Sequence, residues 1–120
     1  MVNQATRNKQ AGAAWETMLL KGLREKGFEV ERLRLAGRND EGDLAIRHDA
    51  EDWTIIEAKS GAMHAADFIR QIEVERANFA KSRNLTEEAT EGIVVVKRRG
   101  EPWNKAYVLT TLDHYLGIDS

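Results

Sequence analysis

A continuous apolar run near the end of the sequence, Ile93 to Val96, constrains the fold more than any other feature. Together with Gly92 and Lys97 it predicts a strand over 92–97. A strand without alternating polar positions is typical of one whose two faces are both covered. We therefore expect a central sheet with other layers packed against it.

The rest of the apolar pattern predicts the helices of such a fold. Apolar residues at three-to-four spacing indicate a helix over 11–26, which Gly27 ends in the left-handed conformation. A second helix is predicted over 62–82 and a short one over 112–116. The residues expected on the inward side of the second helix are Ala65, Phe68, Ile69, Ile72, Arg76 and Phe79.

Alternating positions and turn residues predict the other strands. These strands are expected over 28–35 with a bulge or bend near Arg32, over 43–47 and 53–59 as a hairpin, and over 106–110. The resulting order is α-β-β-β-α-β-β-α. It predicts an α/β fold with a mixed central sheet flanked by helices.

Length and composition predict one domain over residues 1–120, since 120 residues with 42% hydrophobic content suffice for a single core. No apolar run approaches the roughly 20 residues that cross a bilayer, and the first ten residues lack the apolar stretch of a signal peptide. We expect a soluble intracellular protein with no membrane partner. Cysteine is absent, so any metal must have oxygen or imidazole ligands.

Charge is distributed unevenly along the chain. Residues 1–38 carry 8 basic and 4 acidic side chains, residues 39–69 carry 2 and 8, and residues 70–120 carry 8 of each. An acidic centre between basic flanks suits a cation site beside a groove for a polyanion. The net charge of −2 by itself argues against tight binding of nucleic acid.

Three charged residues of the predicted hairpin can meet at one end of the sheet. Period-two geometry puts Glu57 and Lys59 on the same face as Trp53 and Ile55, with Glu57 and Lys59 roughly 7 Å apart. The hairpin brings Asp43 near them. Charges at the end of an apolar strand are costly to bury unless they pair or bind something.

These residue types suit the hydrolysis of a phosphodiester. Asp43 and Glu57, with the carbonyl of Ala58, would hold Mg²⁺ or Mn²⁺ through oxygen. Lys59 could orient the attacking water, help to deprotonate it, or stabilise the scissile phosphate. The alternative is a salt bridge within the hairpin that seals an edge of the sheet, and spacing alone leaves both open.

Gly42-Asp43, followed after 13 residues by Glu57-Ala58-Lys59, resembles the signature of the PD-(D/E)XK nucleases. Over nearly the whole chain, the order of elements is similar to that of archaeal-type Holliday junction resolvases and their phage relatives. The resemblance implies a restriction-endonuclease-like core, Mg²⁺ as cofactor with Mn²⁺ as a substitute, and a homodimer that makes paired nicks in branched DNA. It implies a place in the cytoplasm of a bacterial, archaeal or phage-infected cell. Gly42 stands where the named motif has Pro.

The same resemblance extends the candidate site. It adds Glu16, on the first helix, as a fourth catalytic residue. By charge and position, the candidate DNA-binding residues are Arg7 and Lys9 before the first helix, Arg38 and Asn39 in the loop before Asp43, and Arg70 and Gln71 on the second helix. Individually such charges are more often solvated surface residues, and Gln71 could equally be one.

The function predicted from the sequence is therefore a metal-dependent endonuclease that resolves four-way DNA junctions. A nuclease of the same fold acting on flaps, single strands or duplex is the alternative within enzymes. A non-catalytic DNA-binding module and a plain interaction protein are the alternatives outside them.

Overall fold

Five strands form one mixed sheet in the computed structural model of this chain, which describes residues 4–33 and 40–118 and only the backbone of residues 4–9. They lie side by side in chain order. Strands β3 and β4 pair in parallel and the other neighbours are antiparallel. The strands are β1 (Glu29–Arg32), β2 (Leu44–Asp49), β3 (Asp52–Lys59), β4 (Thr90–Val96) and β5 (Tyr107–Leu109). The expected mixed sheet is confirmed.

Three helices accompany the sheet: α1 (Gln4–Glu25), α2 (Ala65–Ser82) and α3 (Leu112–Leu116). Helix α1 begins seven residues before the predicted start, because the residues that precede the apolar stripe include good helix formers. Helix α2 begins three residues later than predicted. Single 3₁₀ turns lie at Glu87–Ala89 and Trp103–Lys105. No helix in the described part of the chain could span a membrane.

The two long helices cover opposite faces of the sheet. Trp15 and Leu19 of α1 pack with the β4 residue Val95 on one face, and Phe79 of α2 packs with Val94 on the other. Successive residues of β4 thus point into two different cores. This explains why its sequence is apolar without alternation. Trp15 also donates a hydrogen bond from Nε1 to the carbonyl of Val95, at 3.2 Å.

The β1–β2 ladder is regular where a bulge was expected. Its register runs without a break from Glu29 opposite Arg47 to Arg32 opposite Leu44. The backbone N–H of the next residue, Leu33, donates to the carbonyl of Asp43 at 2.8 Å. The expected irregularity near Arg32 is therefore wrong, and the register shift lies between Arg47 and Asp49 in the β2–β3 hairpin. The last two residues of the predicted first strand, 34 and 35, lie outside the described residues.

Candidate active site

Asp43 and Glu57 come together where β2 begins beside β3. The backbone N–H of Asp43 donates to the carbonyl of Ile56 at 3.0 Å, and its carboxylate oxygen Oδ2 accepts from the N–H of Ala58 at 2.8 Å. These two bonds fix the Asp43 carboxylate against β3. Glu57 is only 6% exposed, and its carboxyl group lies within hydrogen-bonding reach of Asp43.

Gly42 is required by the backbone that presents Asp43. Its φ is +100°, in the left-handed region that Pro, with φ near −65°, cannot adopt. A Cβ at this position would also lie 2.9 Å from Cγ2 of Ile55. The departure from the Pro of the nuclease motif thus has a local cause in this chain.

Lys59 lies at the mouth of the site. Its Nζ is 3.8 Å from Oε1 of Glu57 and 5.2 Å from the centre of the Phe68 ring. The side chain is 26% exposed and borders a cleft of about 500 Å³ that Gly12, Gly61 and His64 also line. Lys59 can therefore contact Glu57 and an incoming phosphate at the same time.

A third acidic residue, Glu75 of α2, belongs to this cluster and was missed from the sequence. Its side chain is 1% exposed, and its carboxyl group lies within hydrogen-bonding reach of Glu57. The signal for it was present, because Phe68, Ile72, Glu75 and Phe79 follow the four-three-four spacing of a buried helix stripe.

The inward face predicted for α2 needs a corresponding correction. Ala65 is exposed, while Ile69 and Arg76 are only partly buried. Arg76 instead donates hydrogen bonds to the carbonyl of Glu87 and to the hydroxyl of Thr90, at the rim of the helix. The buried stripe is therefore rotated toward Glu75.

Burial and mutual repulsion make these three acids weak. Burial, and then the Glu57 carboxylate, raise the pKa of Asp43 to about 8. Burial and the nearby Glu75 raise the pKa of Glu57 to about 9. Burial above all raises the pKa of Glu75 to about 7. The site as it stands favours bound protons or another positive charge.

Glu16 does not join this group directly. Its carboxylate oxygen Oε1 pairs with Nε of Arg32 at 2.8 Å, on the side of the sheet that α1 covers. Arg32 also donates to the Thr17 hydroxyl at 3.0 Å. The charge of Glu16 still contributes a small part of the raised pKa of Asp43.

The predicted DNA-binding residues are only partly described. Arg70 is exposed and forms an ion pair with Asp67, one turn earlier on α2. Gln71 is partly buried, and no hydrogen bond within the described residues joins it to Lys59. Arg7 and Lys9 were expected before the first helix, but they lie within α1, whose start at Gln4 precedes them. Their side chains are outside the described residues, as are Arg38 and Asn39.

The chemistry of the acidic residues fits a hard divalent cation. Oε2 of Glu57 and both carboxylate oxygens of Glu75 are buried without a hydrogen-bond partner in the described residues. Carboxylate and carbonyl oxygens are the ligands that Mg²⁺ and Mn²⁺ prefer. Among the described residues, no three His, Asp or Glu side chains are already grouped around a single ion position.

The topology and its two covering helices define the restriction-endonuclease-like α/β fold that the sequence predicted. Among solved structures, this chain is similar to Hjc, a Holliday junction resolvase from the archaeal hyperthermophile Archaeoglobus fulgidus. The TM-score is 0.52 at 20% sequence identity, over 88% of this chain and 93% of Hjc. No protein-family model and no curated protein matches the sequence significantly. The likeness to a resolvase indicated by the sequence motifs is thus confirmed for the fold.

Proposed function

We propose that this protein is a divalent-metal-dependent endonuclease that cuts branched DNA, with four-way junctions as its substrate. The observation that carries the proposal is the meeting of Asp43, Glu57 and Lys59 at one end of β3, within a fold shared with a Holliday junction resolvase. A salt bridge that seals the hairpin would explain why Lys59 and Glu57 lie close together. It would leave the neighbouring, partly buried Asp43 without a counter-charge.

Asp43 and Glu57, with the carbonyl of Ala58, would hold Mg²⁺, which Mn²⁺ can replace. When bound, the ion supplies positive charge where negative charge develops on the scissile phosphate. The Ala58 N–H keeps Asp43 oriented, and Glu57 keeps the Lys59 ammonium at the cleft. From there Lys59 orients the attacking water or contacts a phosphate oxygen. Glu16 remains a proposed catalytic residue. The proposed DNA-binding residues remain Arg7, Lys9, Arg38, Asn39, Arg70 and Gln71.

A second copy of this chain is the proposed partner in paired incision. The C-terminal segment exposes large apolar side chains around the edge strand β5 and helix α3, namely Tyr107, Val108, Leu112, Tyr115, Leu116 and Ile118. An edge strand beside an apolar surface favours self-association. A two-fold dimer would place one site on each of two strands of a two-fold junction. Such a substrate implies action in the cytoplasm of a bacterial, archaeal or phage-infected cell.

The test compares labelled four-way junction, flap, linear duplex and single-stranded DNA, each incubated with Mg²⁺ or with EDTA. Asp43→Asn and Glu57→Gln are expected to abolish cleavage and to retain junction binding. Asp52→Asn is the matched control, because Asp52 is an exposed acid at the opposite end of β3. It should cut like the unmodified protein.

The outcomes separate the alternatives. Symmetric nicks near the junction that require the metal support a resolvase. Metal-dependent cutting of flaps, single strands or duplex alone would keep the chemistry and reject the junction preference. Tight binding without any cutting would favour a non-catalytic DNA-binding module. Binding whose affinity does not change with salt would argue against phosphate contacts and for a plain interaction protein.

A further inference from the structure

Glu75 is the most deeply buried charged side chain of the described residues. It is 1% exposed, neither of its carboxylate oxygens has a hydrogen-bond partner, and no Lys or Arg in the described part of the chain forms an ion pair with it. A carboxylate in this position strongly destabilises the fold unless something neutralises it. The proposed catalytic residues do not supply a positive charge there, because Lys59 lies near Glu57 at the mouth of the site.

The Glu75 carboxylate is directed at the backbone that presents Asp43. Its Oε2 lies 3.6 Å from the position that a Cβ on Gly42 would occupy. It is also within hydrogen-bonding reach of Glu57, whose own Oε2 is buried and unpartnered. On the other side Glu75 lies within reach of Asp40, an exposed residue at the surface. The acids therefore form a row from Asp43 through Glu57 and Glu75 to solvent.

A purely structural role would be better served by an apolar side chain. Position 75 continues the buried stripe of Phe68, Ile72 and Phe79, and its neighbours on the sheet include the apolar Ile55. Replacing a buried charge by a hydrophobic residue of similar volume is often neutral or stabilising. A buried acid whose two oxygens have no hydrogen-bond partner is therefore better explained by a ligand.

We propose that Glu75 is a third carboxylate ligand of the cation site, holding a divalent ion between its own oxygens and those of Glu57. This inference rests on the proposed metal-dependent function and adds to it a ligand from α2.

The experiment measures Mn²⁺ binding to the full chain without DNA, by the electron paramagnetic resonance signal of free Mn²⁺. Glu75→Gln is expected to weaken Mn²⁺ binding at least about tenfold, the lower end of the range of about 10 to 100-fold known for groups that support a metal. Glu73→Gln, which replaces an exposed acid on the same helix, is the matched control and should bind as the unmodified protein does. Weakening of Mn²⁺ binding by less than about tenfold in Glu75→Gln would overturn the proposal.

Thermal unfolding gives a second readout. Glu75→Leu extends the apolar stripe, so in EDTA it should unfold at a higher temperature than the unmodified protein. Added Mn²⁺ should raise its unfolding temperature by less than it raises that of the unmodified protein. If Mn²⁺ raises the unfolding temperature of Glu75→Leu as much as that of the unmodified protein, the proposal is overturned, even if Glu75→Gln fails to fold.

The closing comparison uses Glu57→Gln. Suppose that the unmodified protein and Glu75→Gln both bind Mn²⁺, while Glu57→Gln does not. Then only the assignment of Glu75 as a ligand fails. If the unmodified protein binds no Mn²⁺ at all, the proposed cation site fails with it.

Discussion

In the metal-free protein, the buried Glu57 and Glu75 and the partly buried Asp43 of the candidate site should make the fold less stable as the pH rises. The folded protein holds the pKa of Asp43 at about 8, of Glu57 at about 9 and of Glu75 at about 7. In an unfolded chain the same groups ionise near pH 4. The folded state therefore binds more protons than the unfolded state above pH 4. Stability must fall with pH until the folded groups have ionised.

The magnitude follows from proton linkage. Each proton that the folded state retains costs about 1.4 kcal/mol of unfolding free energy per pH unit. A single retained proton removes about 2.7 kcal/mol between pH 5 and pH 7. Three independent protons would remove about 8 kcal/mol, which is comparable with the whole stability of an ordinary domain. Because the three carboxyl groups are coupled, we take one proton as the lower bound.

Urea unfolding at pH 5, 7 and 9 tests this linkage, with fluorescence of the partly buried or buried Trp15, Trp53 and Trp103 as the probe. In EDTA the free energy of unfolding should fall by at least about 2.7 kcal/mol from pH 5 to pH 7. Saturating Mg²⁺ should flatten the curve, because the ion replaces the protons. Glu57→Gln should reduce the slope in EDTA. A stability that stays constant or rises over this interval in EDTA would refute the reasoning.

Three further predictions concern a turn, a buried hydrogen bond and the proposed dimer surface. Gly42→Ala should destabilise the fold by about 1 to 3 kcal/mol, measured by urea unfolding, because its φ of +100° and the close Ile55 methyl group both oppose a Cβ. Trp15→Phe should cost about 1 to 3 kcal/mol in the same assay, since it leaves the buried carbonyl of Val95 without its donor. Leu112→Asp with Tyr115→Asp should leave a folded monomer in sedimentation; a dimer that persists would place the interface elsewhere.

The strand part of the site could be predicted from the sequence because side-chain parity in a strand is fixed. Once β3 is recognised, Glu57 and Lys59 must share a face with Ile55, and the hairpin register brings Asp43 to the same edge. Neither inference needs knowledge of distant contacts. The parallel pairing of β3 with β4 likewise follows from a helix between two apolar strands.

Glu75 could not be found by the same reasoning. The inward face of a helix is predicted from sequence by assigning its charged residues to solvent. This rule excludes a buried acid from the stripe that contains Ile72 and Phe79. Arg76, one position later, was assigned inward instead, although its guanidinium reaches the rim at Thr90. Glu75, the residue that departs from the helix pattern, lies in the candidate site. Residues at functional sites are expected to break local sequence rules, because their chemistry constrains them.

The acidic row also changes how the net charge should be understood. The formal value of −2 counts every carboxyl group as ionised, including Asp43, Glu57 and Glu75. With those three protonated, the same count becomes +1, and a single divalent ion bound to the ionised row brings it to zero. Either way, the phosphates of the proposed DNA substrate would meet a less negative protein than the composition suggests, and the difference lies near the cleft beside Lys59. The repulsion that the composition predicts is therefore greatest in the one state, metal-free at high pH, in which the site has neither protons nor cation.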